Sequence, residues 1–271
     1  MGLQVVKTEA PNVHPTAIVD PSAKLHANVK IGPYAVIGPH TEIGEGTQID
    51  AHAVIHPYTT IGARCRIFPS ASIGGEPQDL KFQGERSFTI IGDATQIREY
   101  VTVSRATGED QQTRVGSHCL LQAYTHVAHN CQVGNHVVMS SFSGLAGHVT
   151  LEDGAIIGGM AGVHQFVKIG RTCMVGAMTK VVQDAPPYII VDGNPARVVG
   201  LNHVGLARSG VSPEVKSNLK KAYRLLYRSG LSLVAAIQEM EQELHAYEEI
   251  EHFLRFLRNC ERGIVRTRKE S

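Results

Sequence analysis

The chain has no tryptophan, and only 6% of its 271 residues are aromatic. A core built around large rings is excluded, so the interior must be narrow and filled by aliphatic side chains. No run approaches the ~18 consecutive apolar residues that a membrane-spanning helix needs, and no membrane insertion is expected. The opening stretch MGLQVVKTEAPNVHP lacks an apolar h-region, so no secretory signal is expected either. Five cysteines without a CxxC spacing argue against a disulfide framework or a ribbon-type zinc site. A cytoplasmic location fits that cysteine usage. The net charge is +1, which singles out no nucleic acid or other partner.

Glycine is plentiful, at 27 residues, and the aliphatic residues keep a strict rhythm. They recur every six positions from Val13 to Ile73, for example Ile31, Ile37, Ile43, Ile49, Ile55, Ile61 and Ile67. The count resumes in phase at Ile91, Ile97 and Val103, and again from Val115 to Val181. Two residues before each large side chain stands a small one, such as Ala53, Cys65, Ala71, Cys119, Thr125, Cys131 and Cys173. Positions two apart on a strand share a face, so each hexad sends one large and one small side chain inward. Glycine, Asn, Asp and Pro are expected in the turns. This is the hexapeptide pattern of a parallel β-helix, in which three hexads close one coil and coils stack at the strand spacing of ~4.8 Å. The expected fold is an all-β solenoid over residues 1–200.

The register breaks over residues 74–90 and 104–114, where Asp79, Glu85 and Glu109 fall on aliphatic positions. Both segments are expected to leave the solenoid as loops, the usual carriers of function on a rigid scaffold. Beyond residue 200 the period changes. SPEVKSNLKKAYRLLYRSG has Ser212 as N-cap, Pro213 at the first helical position and Gly230 as a stop, and one or two amphipathic helices follow. A C-terminal α-helical domain over 201–271 is expected to cap the solenoid, with the tail RTRKES frayed.

A coil of eighteen residues turns sequence distance into adjacency. His129, Gly147 and Gln165 are spaced by that coil and should stack. His148 and His164 flank them and His126 precedes them, so one surface strip should collect all of these histidines. Cys131 belongs to the inward small column, where a buried thiol is inert, and a Cys–His nucleophilic pair is not expected. Two chemistries remain open at this strip. A single imidazole can act as general base, with the Gly147 N–H one coil away as an oxyanion donor. Three imidazoles from neighbouring coils can also hold zinc, as in a metal-dependent, carbonic-anhydrase-like hydratase on the same scaffold. In the first loop, Asp79 and Lys81 suit a sugar- or phosphate-binding finger.

Taken in order, HPTAIVDPSA, QDLKFQGE, IREYVTVSRAT, THVAHNCQVGNH, LAGHVTLEDGAIIGGMAGVHQF, QDAPPYIIVDGNPA and KKAYRLLYRSG resemble the UDP-N-acetylglucosamine O-acyltransferase family of lipid A biosynthesis. The resemblance covers essentially the whole chain. It implies a left-handed β-helix that assembles as a homotrimer with active sites between subunits. It implies transfer of an (R)-3-hydroxyacyl group from acyl carrier protein to the 3-hydroxyl of UDP-N-acetylglucosamine. No metal and no resident cofactor are implied, since the phosphopantetheine arrives on the carrier. His129 matches the general base and Gly147 the oxyanion donor. Asp79, Lys81, His126, His148, His164 and Gln165 match positions lining the nucleotide-sugar and acyl-phosphopantetheine site. Asn202 and Arg208 match residues near the uridine diphosphate, and Ala177 the position that measures acyl length. The chain departs from the family at Ser104 and Asn130, where histidine and aspartate are common, and at Ser209, where a second arginine is common. A related N-acyltransferase acting on a UDP-amino sugar is the nearest rival. Lys220, Lys221, Arg224 and Arg228 are candidates for steering the acidic carrier.

Overall fold

A computed structural model describes residues 9–267. Strands of mostly two residues, separated by two-residue turns, wind into three parallel sheets that form the faces of a prism. Face one runs from Asn12–Val13 through Lys30–Ile31 to Met174–Val175, face two from Ile18–Val19 to Lys180–Val181, and face three from Lys24–Leu25 to Lys168–Ile169. Val13 stands over Ile31, Val19 over Ile37 and Leu25 over Ile43, one coil of eighteen residues apart in each case. The large column and the small column are both buried, from Ile31 and Ala35 to Val175 and Val181.

The two interruptions explain why the period survives them. Ile61 pairs with Ile91 and Ile67 with Ile97, thirty residues apart instead of eighteen. Ile91 pairs with Val115 and Ile97 with Leu121, twenty-four apart. The insertions are thus two hexads and one hexad long, so each returns the chain in phase. Both loops are shorter than expected. Strands Ser72–Gly75 and Phe88–Ile91 confine the first to residues 76–87, and Thr102–Ser104 and Gln112–Val115 confine the second to 105–111.

The turns differ from expectation in composition. At the corners Tyr34, His52, Tyr100, Tyr124, Asn130, Phe142, His148 and Phe166 all hold φ between 55 and 64. A side chain there costs about 1 kcal/mol or more per residue. The stacked rings offset part of that cost: Tyr124 lies 4.9 Å from Tyr100 and 4.9 Å from Phe142, and His148 lies 4.7 Å from Phe166.

After the last coil, Ile189–Asp192 and Arg197–Leu201 form an antiparallel pair that the hexad pattern does not foretell. Four helices follow: α1 (His203–Arg208), α2 (Pro213–Tyr227), α3 (Leu233–Glu243) and α4 (Glu248–Arg258). The Ser212 hydroxyl accepts from the Val215 N–H, as a cap should. Helix α4 docks on the prism through His252, whose Nε2 lies 2.8 Å from Glu152 Oε2. The segment after α4 is not frayed where it is described. Val265 donates to Asp184 O and Val198 to Arg266 O, and Thr267 bridges to Val198. Residues 268–271 of the expected frayed tail lie outside the described residues. No described helix is long and apolar enough to cross a membrane.

Candidate active site

His129 and Asn130 form the turn that leads from face two to face three. The His129 Nδ1 lies 2.8 Å from Asn130 Oδ1. The second loop fixes the Asn130 amide. Its Oδ1 accepts from the Thr107 N–H at 3.0 Å, and its Nδ2 donates to the Thr107 carbonyl at 3.0 Å. Flipping the amide would break both bonds, so the oxygen must face His129. In the neutral imidazole the proton therefore sits on Nδ1 and the lone pair on Nε2. Asp79 Oδ2 is the nearest charged partner of Nε2, at 3.8 Å, too far for a hydrogen bond.

Gly147 lies one coil above. A Cβ there would stand 2.5 Å from both Cε1 and Nε2 of His129, so any larger residue would displace the imidazole. The ladder beside it runs from the His148 N–H to the His129 carbonyl and from the Ala146 N–H to the Val163 carbonyl, each 3.0 Å long. Neither rung uses the Gly147 N–H, which stays available to a ligand oxygen near His129. His148 meets His129 edge-on at 5.2 Å. Gln165 follows in the same column, exposed.

Asp79 sits in the first loop, its carboxyl held below the usual range chiefly by the Lys81 N–H, which donates to Oδ1 at 3.0 Å. The Lys81 side chain is exposed. The two loops brace each other. Glu85 accepts from the Gln83 and Gly108 N–H groups at 2.7 Å each, and Arg86 reaches Asp110 at 2.6 Å.

The expected strip of histidines is folded over an edge. His126 and His164 lie on face two, around the corner from His129 and His148, and line a cavity of about 390 Å³ with Gly144, Gly162, Lys180 and Val182. A Cβ on Gly144 or Gly162 would meet open space, so the two glycines widen this groove. His126 is held by Thr102, Nδ1 to Oγ1, at 2.7 Å. Burial first and the neighbouring His129 second push His126 below the ordinary imidazole pKa, and burial does the same to His148. Cys131 is fully buried, and burial pushes its thiol up to about 12. Among the described residues no three His, Cys, Asp or Glu side chains converge as a metal ligand set.

Three of the matched residues lie elsewhere. Ala177 is exposed on the turn between faces one and two, outside the groove lining. Asn202 caps α1, its Oδ1 accepting from the Gly205 N–H at 2.9 Å and its Nδ2 donating to Thr172 O at 2.8 Å. Asn202 and Arg208 line a cavity of about 820 Å³ on face one with Ile156, Met174, Ile190 and Val204. The matched residues therefore fall into two groups on different faces. Sequence reasoning missed Thr102, Thr107 and the groove residues Gly144, Gly162 and Lys180. The last three stand one, two and three coils beyond His126, and the same arithmetic reaches them.

Residues 184–265 match the family model for UDP N-acetylglucosamine O-acyltransferase, domain 2, and residues 13–108 match that for the GMPPB C-terminal domain. A Myxococcus xanthus protein named acyl-(acyl-carrier-protein)–UDP-N-acetylglucosamine O-acyltransferase is 48% identical over 255 residues, 94% of this chain and 99% of its own length. A Rippkaea orientalis protein of the same name is 58% identical over 198 residues, 73% of this chain and 71% of its own. Among solved structures, the Moraxella catarrhalis UDP-N-acetylglucosamine O-acyltransferase superposes with a TM-score of 0.90 at 40% identity, covering 94% of this chain and 99% of its own. The Arabidopsis UDP-N-acetylglucosamine acyltransferase gives 0.85 at 30%, covering 93% of this chain and 99% of its own. The solenoid is accordingly a left-handed parallel β-helix, the rare hand for parallel crossovers.

Proposed function

Because the chain belongs to the UDP-N-acetylglucosamine O-acyltransferase family, we propose that it carries out the first step of lipid A biosynthesis in the cytoplasm. The reaction moves an (R)-3-hydroxyacyl group from acyl carrier protein to the 3-hydroxyl of UDP-N-acetylglucosamine. The observation that carries this reading is the His129 ring, oriented by the Asn130–Thr107 clamp so that Nε2 is the basic nitrogen of the neutral form, and set against Gly147.

Nε2 takes the proton of the sugar 3-hydroxyl as its oxygen attacks the thioester carbonyl. The Gly147 N–H donates to the oxyanion that forms. Collapse breaks the carbon–sulfur bond, and the imidazolium returns its proton to the departing phosphopantetheine thiolate. No acyl-enzyme forms, and the chain supplies no cofactor. Asp79 and Lys81 orient the sugar and its phosphates, while His126, His164 and Gln165 line the path of the acyl-pantetheine arm. Ala177, exposed on the edge shared by faces one and two, would bound the acyl chain only against a second copy, and its small size would leave room there for a moderately long chain.

Asn202 and Arg208 serve the same reaction only if a second copy brings its face one against this chain's face two. Surface chemistry supports that contact. Face three turns Lys24, Glu42, Arg114, Gln132 and Lys168 outward, as a solvent face does; face one turns Lys30, Gln48, Arg66 and Gln96 outward in its first coils, but Leu120, Val138, Ile156 and Met174 in the coils level with the site. The edge shared by faces one and two carries the exposed side chains of Tyr34, Tyr100, Tyr124, Phe142, Met160 and Met178. A face-one to face-two contact is head-to-tail; where its rotation closes it forms a ring, here the trimer that the family resemblance implies.

The test is product analysis after incubation with acyl carrier proteins bearing a mixture of chains. A hydroxylamine-labile ester on UDP-N-acetylglucosamine is expected, with turnover reduced ~10²–10⁴-fold in His129→Ala while the trimer persists. Offered a UDP-amino sugar beside UDP-N-acetylglucosamine, preferential formation of a hydroxylamine-stable amide would favour the N-acyltransferase, and undiminished turnover of His129→Ala would remove His129 from the base role.

A further inference from the structure

Between Asp79 and Lys81, both assigned above to the nucleotide sugar, stands a leucine with no partner in its own chain. The Leu80 side chain is 106% exposed, the fullest exposure of any large apolar residue among those described. A flexible loop would explain that cheaply, but this loop is braced. Asp79 accepts from Lys81 N–H and Phe82 N–H at 3.0 Å each, Glu85 ties Gln83 to Gly108, and Phe82 lies under the Arg105 guanidinium at 5.0 Å. A rigid turn that holds an aliphatic side chain in water is a surface prepared for a partner.

The other half-site has the complementary defect. The rim of its cavity exposes Val204 by 60% and Met174 by 38%, while Asn202 is buried and Arg208 is exposed beside them. Resting on the shared-site reading, we propose that Leu80 of one copy packs against Val204 and Met174 of the next and closes the acceptor site from solvent. Two features favour a second copy as the occupant. Arg208 must approach the Asp79–His129 half for both to serve one diphosphate sugar, which brings the residue next to Asp79 to that rim. With Lys81 turned to the phosphates that Arg208 also serves, the Asp79 carboxylate is left to face the Arg208 guanidinium across the apolar contact, which favours this docking over a slipped one. The seal removes water from around the acceptor's polar contacts and so strengthens them.

Cross-linking tests this in the full chain. The double variant Leu80→Cys/Val204→Cys is oxidised and run without reductant beside each single variant, with light scattering of the unoxidised protein. Covalent multimers in the double variant alone are expected, because four of the native cysteines are buried and the fifth, Cys260, is present in every control. Trimers in solution that fail to cross-link would overturn the Leu80 contact and leave the shared site standing. A monomer in solution would overturn both. Leu80→Ser should raise KM for the nucleotide sugar about tenfold with kcat little changed, the mark of lost acceptor binding. An unaltered KM in a cross-linking protein would deny the contact its sealing role.

Discussion

The Asn130 amide decides which nitrogen of His129 is open to act as the proposed base. An aspartate at that position would accept from the His129 Nδ1–H and the Thr107 N–H equally well, but it has nothing to donate to the Thr107 carbonyl and would set two oxygens against each other. Asn130→Asp is therefore expected to destabilise the protein by about 1 kcal/mol, as lost hydrogen bonds do. The new negative charge would favour the imidazolium and move the acid limb of the pH–rate profile upward. An acid limb that stays put would show that residue 130 does not tune the base. His126 makes a second pH prediction. Its pKa is depressed in the folded chain, chiefly by burial, so the unfolded chain binds more protons as pH falls. Stability is full above the ordinary imidazole value of ~6.5 and is lost as pH falls from there through the depressed value. Melting temperatures of wild type and His126→Gln between pH 7 and 5 should diverge on the acid side. Parallel curves would contradict the buried neutral state.

Among the elements, α2 carries a pattern that costs stability. Lys216, Lys220 and Arg224 stand four residues apart on one helix, where like charges repel by about 0.2–0.5 kcal/mol per pair. No described residue forms a salt bridge with any of the three. A repulsive stripe suits an acidic docking partner. Lys220→Glu combined with Lys221→Glu should raise KM for acyl carrier protein about tenfold at low salt, with the effect shrinking at high salt. Equal KM values at low salt would assign the stripe to solvent. The repeat was the most legible element of all, because inserting whole hexads preserves phase and each coil converts an eighteen-residue step into contact. His129, Gly147 and Gln165 could be aligned from that arithmetic. Thr107 could not, since an inserted loop has no address in the period, and neither could the ring-stacked corners, where tertiary stacking overrides the usual turn residues. Helix α1, six residues long, is too short for a periodicity signal.

At the scale of the molecule, the matched residues separate onto two faces. Asn202 and Arg208 lie beyond the last hexad, so the period gave no way to place them relative to His129. On the proposed reading, their location on face one makes assembly a condition of activity: a folded monomer would hold the base and the oxyanion donor yet lack the Asn202–Arg208 half of the acceptor site. Complementation tests that claim most directly. His129→Ala and Arg208→Ala variants, each inactive alone, are mixed, dissociated and reassembled. Every mixed trimer then contains one interface that joins an intact His129 to an intact Arg208 from its neighbour. At equal mixing, about a quarter of wild-type activity is expected. No recovery in mixtures shown to contain mixed trimers would contradict the shared site.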